Sequence, residues 1–246
     1  MILRSVMKHV RDQDWLAVSL DFLIVVVGVF IGIQVANWNE AQEEQRRLNE
    51  QLSSLRAEFV ENLDRFNTYG DLLQRKIADI HALRRLISGS DSNVSESELD
   101  AMLMNTFSVP VFTADRTTLE ELKRSGTLRD LNDIGLRRPL VDWDEAYAGL
   151  GRLEGDAITL RNLIYAPFAM AHLGFGAMGE QYGEIGDRFA RSPFRNDAGM
   201  LRDNRQFDNI LVLMGGAASR CLDFLEILRN RTETTITRLE MTGGES

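Results

Sequence analysis

The sequence contains little cysteine, proline or histidine. Cys221 is the only cysteine among 246 residues, which excludes an internal disulfide, a multi-cysteine zinc site and a thioredoxin-like pair. A chain of this length can bury a core without disulfides. Its four prolines, few tyrosines and tryptophans, and 44% hydrophobic residues favour a helical protein over a disordered one.

Residues with catalytic or metal-binding chemistry are also scarce. The three histidines, His9, His81 and His172, lie far apart and show no metal-ligand spacing. The sequence has no phosphate-binding loop, no dinucleotide-binding fingerprint and no G-x-S-x-G nucleophile motif. We therefore predict no catalytic residue, no metal and no cofactor. With 28 Lys and Arg against 37 Asp and Glu, the net charge of -9 also argues against nucleic acid as a partner.

One long apolar run stands near the N-terminus. Residues 16–38 contain a single charged side chain, Asp21, and end in Trp38, a residue type that anchors helices at the membrane interface. Asp21 lies near the start of the run, where a carboxylate can reach the lipid headgroups. The run is long enough to cross a bilayer, so we predict a transmembrane signal-anchor helix over residues 15–38.

The flanks of this helix predict its orientation. Residues 1–14 carry Arg4, Lys8 and Arg11 and form a basic amphipathic flank, which by the positive-inside rule lies in the cytoplasm. A cleavable signal peptide is the alternative, but the apolar run is long and Ala36 is preceded at position 34 by Gln34, which does not fit a cleavage site. The prediction is a single-pass protein of the bacterial inner membrane with its bulk in the periplasm.

The apolar run also contains a helix-pairing motif. Gly28 and Gly32 form a G-x-x-x-G pair, which lets two helices approach closely in lipid. Glycine is common in membrane helices, so the pair is equally consistent with no partner. The predicted partners are the lipid bilayer and either a second copy of the chain or another envelope membrane protein.

Residues 39–240 predict an all-α extramembrane domain. We expect a stalk helix over 39–88 that continues the membrane helix, a Ser-rich linker over 89–95, a helical bundle over 96–240 and a tail over 241–246. Heptad a positions of the stalk are all apolar. The d positions include Asn62, Tyr69 and Lys76, so we expect the buried stripe to drift to the neighbouring Leu63 and Ile77.

Further patterns divide the bundle into helices. Ser95 and Glu98 predict a capping box, as do Thr118 and Glu121, and Gly126 fits a helix C-cap. The uncharged stretch 163–179 predicts a buried helix with turns. The last helix carries an apolar face that Thr232 and Thr235 interrupt, so its packing is expected to weaken there. Cys221 lies on that apolar face, and its position favours a buried core residue over a reactive thiol.

Two motifs resemble a family of bacterial single-pass membrane proteins known only as a domain of unknown function. The first runs from Asp21 through the apolar glycine-containing helix, where the family commonly has alanine in place of Gly32, to an N-W-N-E ending. That ending comprises Asn37, Trp38, Asn39 and Glu40. The second is an E-L-K-x-S-G-x-L helix and turn, with Glu121, Leu122, Lys123, Ser125 and Gly126. The resemblance implies a membrane-anchored helical protein and no reaction.

Three functions fit these observations. The first is a structural or interaction module that docks on another envelope protein. The second is a periplasmic module that senses a small molecule and signals through a partner, because the 14-residue cytoplasmic flank holds no output domain. The third is an envelope enzyme that uses carboxylates distant in sequence, for which no spacing argues.

Overall fold

A computed structural model describes residues 15–89, 94–131, 133–180 and 192–243. Within these ranges the chain is helical and has no strand, so the all-α prediction is confirmed. The predicted flank 1–14, the linker residues 90–93 and the end of the tail, 244–246, lie outside the described residues. The helices are α1 (Trp15–Ile87), α2 (Glu96–Phe107), α3 (Thr117–Ser125), α4 (Thr127–Asp130), α5 (Ile134–Leu160), α6 (Ala166–His172), α7 (Phe175–Gly179), α8 (Ala198–Leu201) and α9 (Arg205–Gly243), and a π-helical turn, Arg161–Tyr165, joins α5 to α6.

The chain divides into two compact units, residues 1–52 and 53–246. In the first unit, α1 is exposed on all sides from Ser19 to Arg46. Among the described residues, α1 is the only helix long and apolar enough to cross a membrane. A single candidate membrane span near the N-terminus therefore agrees with the sequence. The predicted junction between span and stalk falls inside this uninterrupted helix.

In the second unit, α1 buries the heptad a and d rows. The a residues of this unit are buried as predicted: Phe59, Phe66, Leu73, Ile80 and Ile87. The predicted drift of the stripe is wrong, because Asn62, Tyr69 and Lys76 at the d positions are buried, whereas Leu63 and Ile77 are only half-buried. Buried polar groups need hydrogen-bond partners, and α1 therefore requires a polar structure opposite its d row.

That structure is the extended segment 108–116, between α2 and α3. Its backbone meets α1 at Ser108, whose carbonyl accepts from Lys76 Nζ at 2.7 Å, and at Asp115, which exchanges two hydrogen bonds of 2.8 Å with Asn62. The fourteen residues that separate Asn62 from Lys76 on α1 rise about 21 Å along the helix axis. The seven residues that separate Ser108 from Asp115 cover about 23 Å in an extended conformation. The segment therefore runs antiparallel to α1 with matching length, and α1 supplies the partners that a neighbouring strand would supply in a sheet.

Two of the three helix caps that the sequence predicts are present in the structure. Ser95 and Glu98 form the predicted capping box, and Gly126 ends α3 in the left-handed region with φ +85°. The capping box predicted at Thr118 is wrong. Helix α3 begins at Thr117, and the backbone N–H of Thr118 donates to the Glu58 carboxylate of α1 at 2.8 Å. A carboxylate from another helix thus satisfies the start of α3 and joins it to α1.

Helix α9 packs closely on α5 and α1. A Cβ atom at Gly149 would lie only 2.7 Å from the Phe224 ring, so the two helices approach too closely for a larger residue without a shift. Thr232 is fully buried and its hydroxyl accepts from the indole N–H of Trp143 at 2.7 Å; Thr235 is fully buried as well. The expected weakening of the packing at these threonines is wrong, because hydrogen bonds allow the hydroxyls to be buried.

Replacing Asn62 tests the pairing of α1 with the extended segment. Asn62→Ala removes both bonds to Asp115 and leaves a partly buried N–H and C=O without partners, so we expect a loss of about 1–3 kcal/mol in the free energy of unfolding. Gln74→Ala is the control, because Gln74 is exposed on the same helix and its side chain makes no hydrogen bond among the described residues; it is expected to cost less than about 0.5 kcal/mol. Equal losses in denaturant titrations of the two variants would contradict the pairing.

Candidate functional site

The residues of the first sequence motif, on the apolar part of α1, are all exposed: Asp21, Gly28, Gly32, Asn37, Trp38, Asn39 and Glu40. A Cβ atom built at Gly28 or Gly32 meets no atom within 4 Å, so no other part of the described structure covers this face. Trp38 is 61% exposed. The arrangement leaves the whole surface of the span available to lipid or to another helix.

The second motif shapes a turn and docks a helix. Leu122 is fully buried, and Gly126 takes the left-handed conformation that closes α3. Ser125 Oγ donates to the carbonyl of Leu122 at 3.2 Å, while Glu121 is exposed. Lys123 Nζ donates to Asp144 of α5 at 2.8 Å. These contacts give four of the five motif residues a local structural role and bind α3 to α5.

Lys123 belongs to a network of half-buried charges. Its ammonium lies 3.2 Å from Glu120, and Arg116 pairs with both Glu120 and Asp144. The Arg116 guanidinium also lies over the Tyr147 ring, 4.6 Å from its centroid. The hydrogen bond to Asp144 raises the pKa of Lys123. The network thus links Arg116 and the charged groups of α3 to Asp144 of α5. The acidic residue that α3 contributes is Glu120, not Glu121.

Lys76 of α1 places a buried amino group at the C-terminal end of α2. It is 2% exposed, and its Nζ donates to the carbonyl oxygens of Asn105, Thr106 and Ser108. Last-turn carbonyls of a helix have no partner within the helix, so the lysine satisfies them. Burial lowers the pKa of Lys76 to about 7; the charge of Arg161 adds to the fall, and Asp79 opposes it.

A second buried cluster lies where α1, α5 and α9 meet. It consists of Tyr69, Glu154 and Cys221, which are all less than 5% exposed. Glu154 accepts from the Phe112 backbone N–H at 2.8 Å, which secures the middle of the extended segment. Tyr69 makes no hydrogen bond of good geometry, although Glu154 and Cys221 lie near its hydroxyl. Burial raises the pKa of both Glu154 and Cys221, so the thiol is an inert core group as expected.

The stretch 163–179 is buried on one face only, so the prediction of a buried helix is half wrong. Tyr165, Phe168 and Ala169 point into the core. The opposite face is exposed and apolar; we call it the apolar stripe, and it consists of Leu163, Ile164, Pro167, Met170 and Ala171. Leu163 is 72% and Met170 74% exposed. Sequence reasoning missed this surface, although a helix that is apolar on both faces signals a second contact.

The apolar stripe lies in an uncharged neighbourhood of the sequence. No Asp, Glu, Lys or Arg occurs between Arg161 and Glu180. Two further exposed apolar side chains, Phe194 and Met200, belong to the segment that follows. Asn196 fixes that segment by accepting from the Gly174 N–H at 2.7 Å and donating to Asp100 at 2.6 Å. Large exposed apolar patches on soluble domains mark contact surfaces, which makes the stripe the strongest candidate for binding.

Two of the surface cavities in the described part of the second unit lie beside α1. One, of about 540 Å³, lies between α1 and α2; the other, of about 580 Å³, lies where α1 ends and α9 begins. Three of the four carboxylates that line them serve the fold: Asp79 accepts from Asn105 at 2.6 Å, Glu98 belongs to the capping box, and Asp208 pairs with Arg84. These contacts give the enzyme hypothesis no support. Among the described residues, no group of three His, Cys, Asp or Glu side chains could hold a metal.

No protein-family model, no curated protein and no solved structure matches this chain. The resemblance carried by the two motifs therefore stays a prediction.

The pH dependence of stability tests the environment of Lys76. Between about pH 7 and 10.5 the unfolded chain holds its Lys76 proton while the folded protein releases it, so the free energy of unfolding rises with pH. Lys76→Met removes this rise and, by leaving three carbonyls without their donor, lowers stability by about 1–3 kcal/mol.

Lys123→Met is the matched control. The pKa of Lys123 is raised, so its folded form keeps its proton across this range and no rise with pH depends on it. Chemical unfolding of the three proteins from pH 6 to pH 10 measures the difference. If the native chain and Lys76→Met showed the same pH profile, the burial of a proton-releasing lysine would be refuted.

Proposed function

We propose that the protein is a membrane-anchored interaction module that docks on another envelope protein through the apolar stripe. The proposal includes the orientation that the sequence favours, with the N-terminus in the cytoplasm and the bundle in the periplasm. The observation that carries it is the exposure of Leu163 and Met170, at 72% and 74%, on a helix whose opposite face is core. The buried Asn62, Lys76 and Glu154 are engaged in holding the bundle's own elements together, and we look to its surface for function.

The energetics suit a contact between two membrane proteins. Burying Leu163 and Met170 would contribute about 3–6 kcal/mol together. Association of two free proteins costs about 4–15 kcal/mol in lost translation and rotation. Confinement to one membrane raises the effective concentration of each partner for the other, so a contact of modest area becomes sufficient. The anchor and the stripe thus support the same function.

The membrane helix offers a second contact in the same assembly. Gly28 and Gly32 lie one turn apart on a face that no other part of the described structure covers. We propose that this face packs against a partner's membrane helix, since missing side chains allow close approach in lipid. A heterologous partner engaged at both places is the form of the proposal that we favour over a dimer of this chain.

Substitution of the apolar stripe tests the proposal. We expect Leu163→Glu combined with Met170→Glu to abolish co-purification of a membrane protein from native membranes in a gentle detergent, because two buried carboxylates oppose the contact. Ile134→Glu is the control, since Ile134 is apolar and 65% exposed but lies outside the stripe. The comparison is made by quantitative mass spectrometry of the eluates, with thermal unfolding as a check of folding.

Three results contradict the proposal: recovery of no partner by the native chain, equal recovery by the stripe variant, or recovery only of further copies of this chain.

A further inference from the structure

The cavity where α1 ends and α9 begins has an unusual lining for this chain. It has a volume of about 580 Å³, and its walls are His81, Arg84, Arg85, Ile87, Ser88, Asp203, Asn204, Arg205 and Asp208. On α1, the polar residues at positions 81, 84, 85 and 88 recur at helical spacing and form one face. Three guanidinium groups face two carboxylates here, although the chain as a whole carries a net charge of -9.

The two helices are fixed to one another at this cavity. Arg84 Nε donates to Asp208 Oδ1 at 2.7 Å, which joins α1 to the first turn of α9. The backbone N–H of Asp203 donates to the carbonyl of Ile87 at 3.4 Å, which joins the turn before α9 to the end of α1. The cavity walls are therefore held in place by contacts that do not involve Arg85 or Arg205.

Arg85 and Arg205 are the groups left for a ligand. They come from different helices and line the same cavity, and among the described residues neither has an ion-pair partner. A guanidinium group presents a planar fork of donors that matches the oxygens of a phosphate. Two such forks at one cavity, which His81 also lines, fit a small oxyanion. The nearby carboxylate of Asp203 disfavours an extended polyanion.

We propose that this cavity binds a single phosphate group between Arg85 and Arg205. The phosphate is either inorganic phosphate or the phosphate monoester of a small soluble molecule, since both present the same oxygens to the arginines. The Arg84–Asp208 ion pair positions the two walls without contacting the ligand. This phosphate site is independent of the apolar stripe, because the two share no residue.

The test is a titration of the full chain in nonionic detergent with inorganic phosphate at constant ionic strength, followed by calorimetry and by thermal unfolding. A ligand that binds only the folded state raises its apparent stability. We expect saturable heat and a rise in Tm that exceeds the effect of chloride. Both signals should vanish in Arg85→Gln combined with Arg205→Gln, whose Tm without phosphate should equal that of the native chain because both side chains are exposed.

Arg124→Gln is the matched control, because Arg124 is exposed on α3 and has no place in the cavity; it should keep the full response. Glycerol 3-phosphate, compared with glycerol, distinguishes the two sources of phosphate. Saturation by glycerol 3-phosphate at lower concentration identifies a phosphate monoester, and equal or better saturation by inorganic phosphate identifies the free ion. A response no larger than that to chloride, or the same response in the double variant, overturns the site.

Discussion

A half-buried stretch of extended backbone packed against the helices of the bundle is the constraint on which the rest of this structure depends. Helices satisfy their own backbone groups, but the segment 108–116 does not, so its N–H and C=O groups need side-chain partners. Asn62 and Lys76 supply them from α1, and Glu154 supplies another from α5. Two elements of the bundle are thereby positioned by one segment, and polar residues occupy core positions that a simple bundle would fill with leucine.

This arrangement explains how the neighbouring elements are placed. The segment ends at Arg116, where Glu58 of α1 receives the first turn of α3, and the charges of α3 then engage Asp144 of α5. The aromatic side chain of Phe112 stacks on Phe66 at 4.8 Å, so the segment also contributes to the apolar core. The polar groups of the interior are consequently used in building the bundle. The surfaces that remain, the apolar stripe and the basic cavity, are those to which we assign binding.

Periodicity in the sequence predicted the apolar parts of the fold well. The a positions of α1, the capping box at Ser95 and the C-cap at Gly126 depend on local chemistry and are where the sequence placed them. Periodicity does not predict the burial of Asn62 and Lys76, because their burial depends on hydrogen bonds to a segment distant in sequence. The cap of α3 was misjudged for the same reason, since Glu58 lies on another helix. The exposure of Leu163 and Met170 depends on which face the π-helical turn and α6 present to the core, and apolar composition alone does not specify that face.

Hydrogen exchange at the extended segment tests the central claim most directly. The amides of Phe112 and Asp115 donate to side chains of other helices, and the exposed Thr113 lies between them. If the segment is held as described, the amides of Phe112 and Asp115 exchange as slowly as those in the buried part of α1, while Thr113 exchanges faster. Exchange of all three at the rate of an unstructured peptide would show that the segment is not part of the core, and the account would fail.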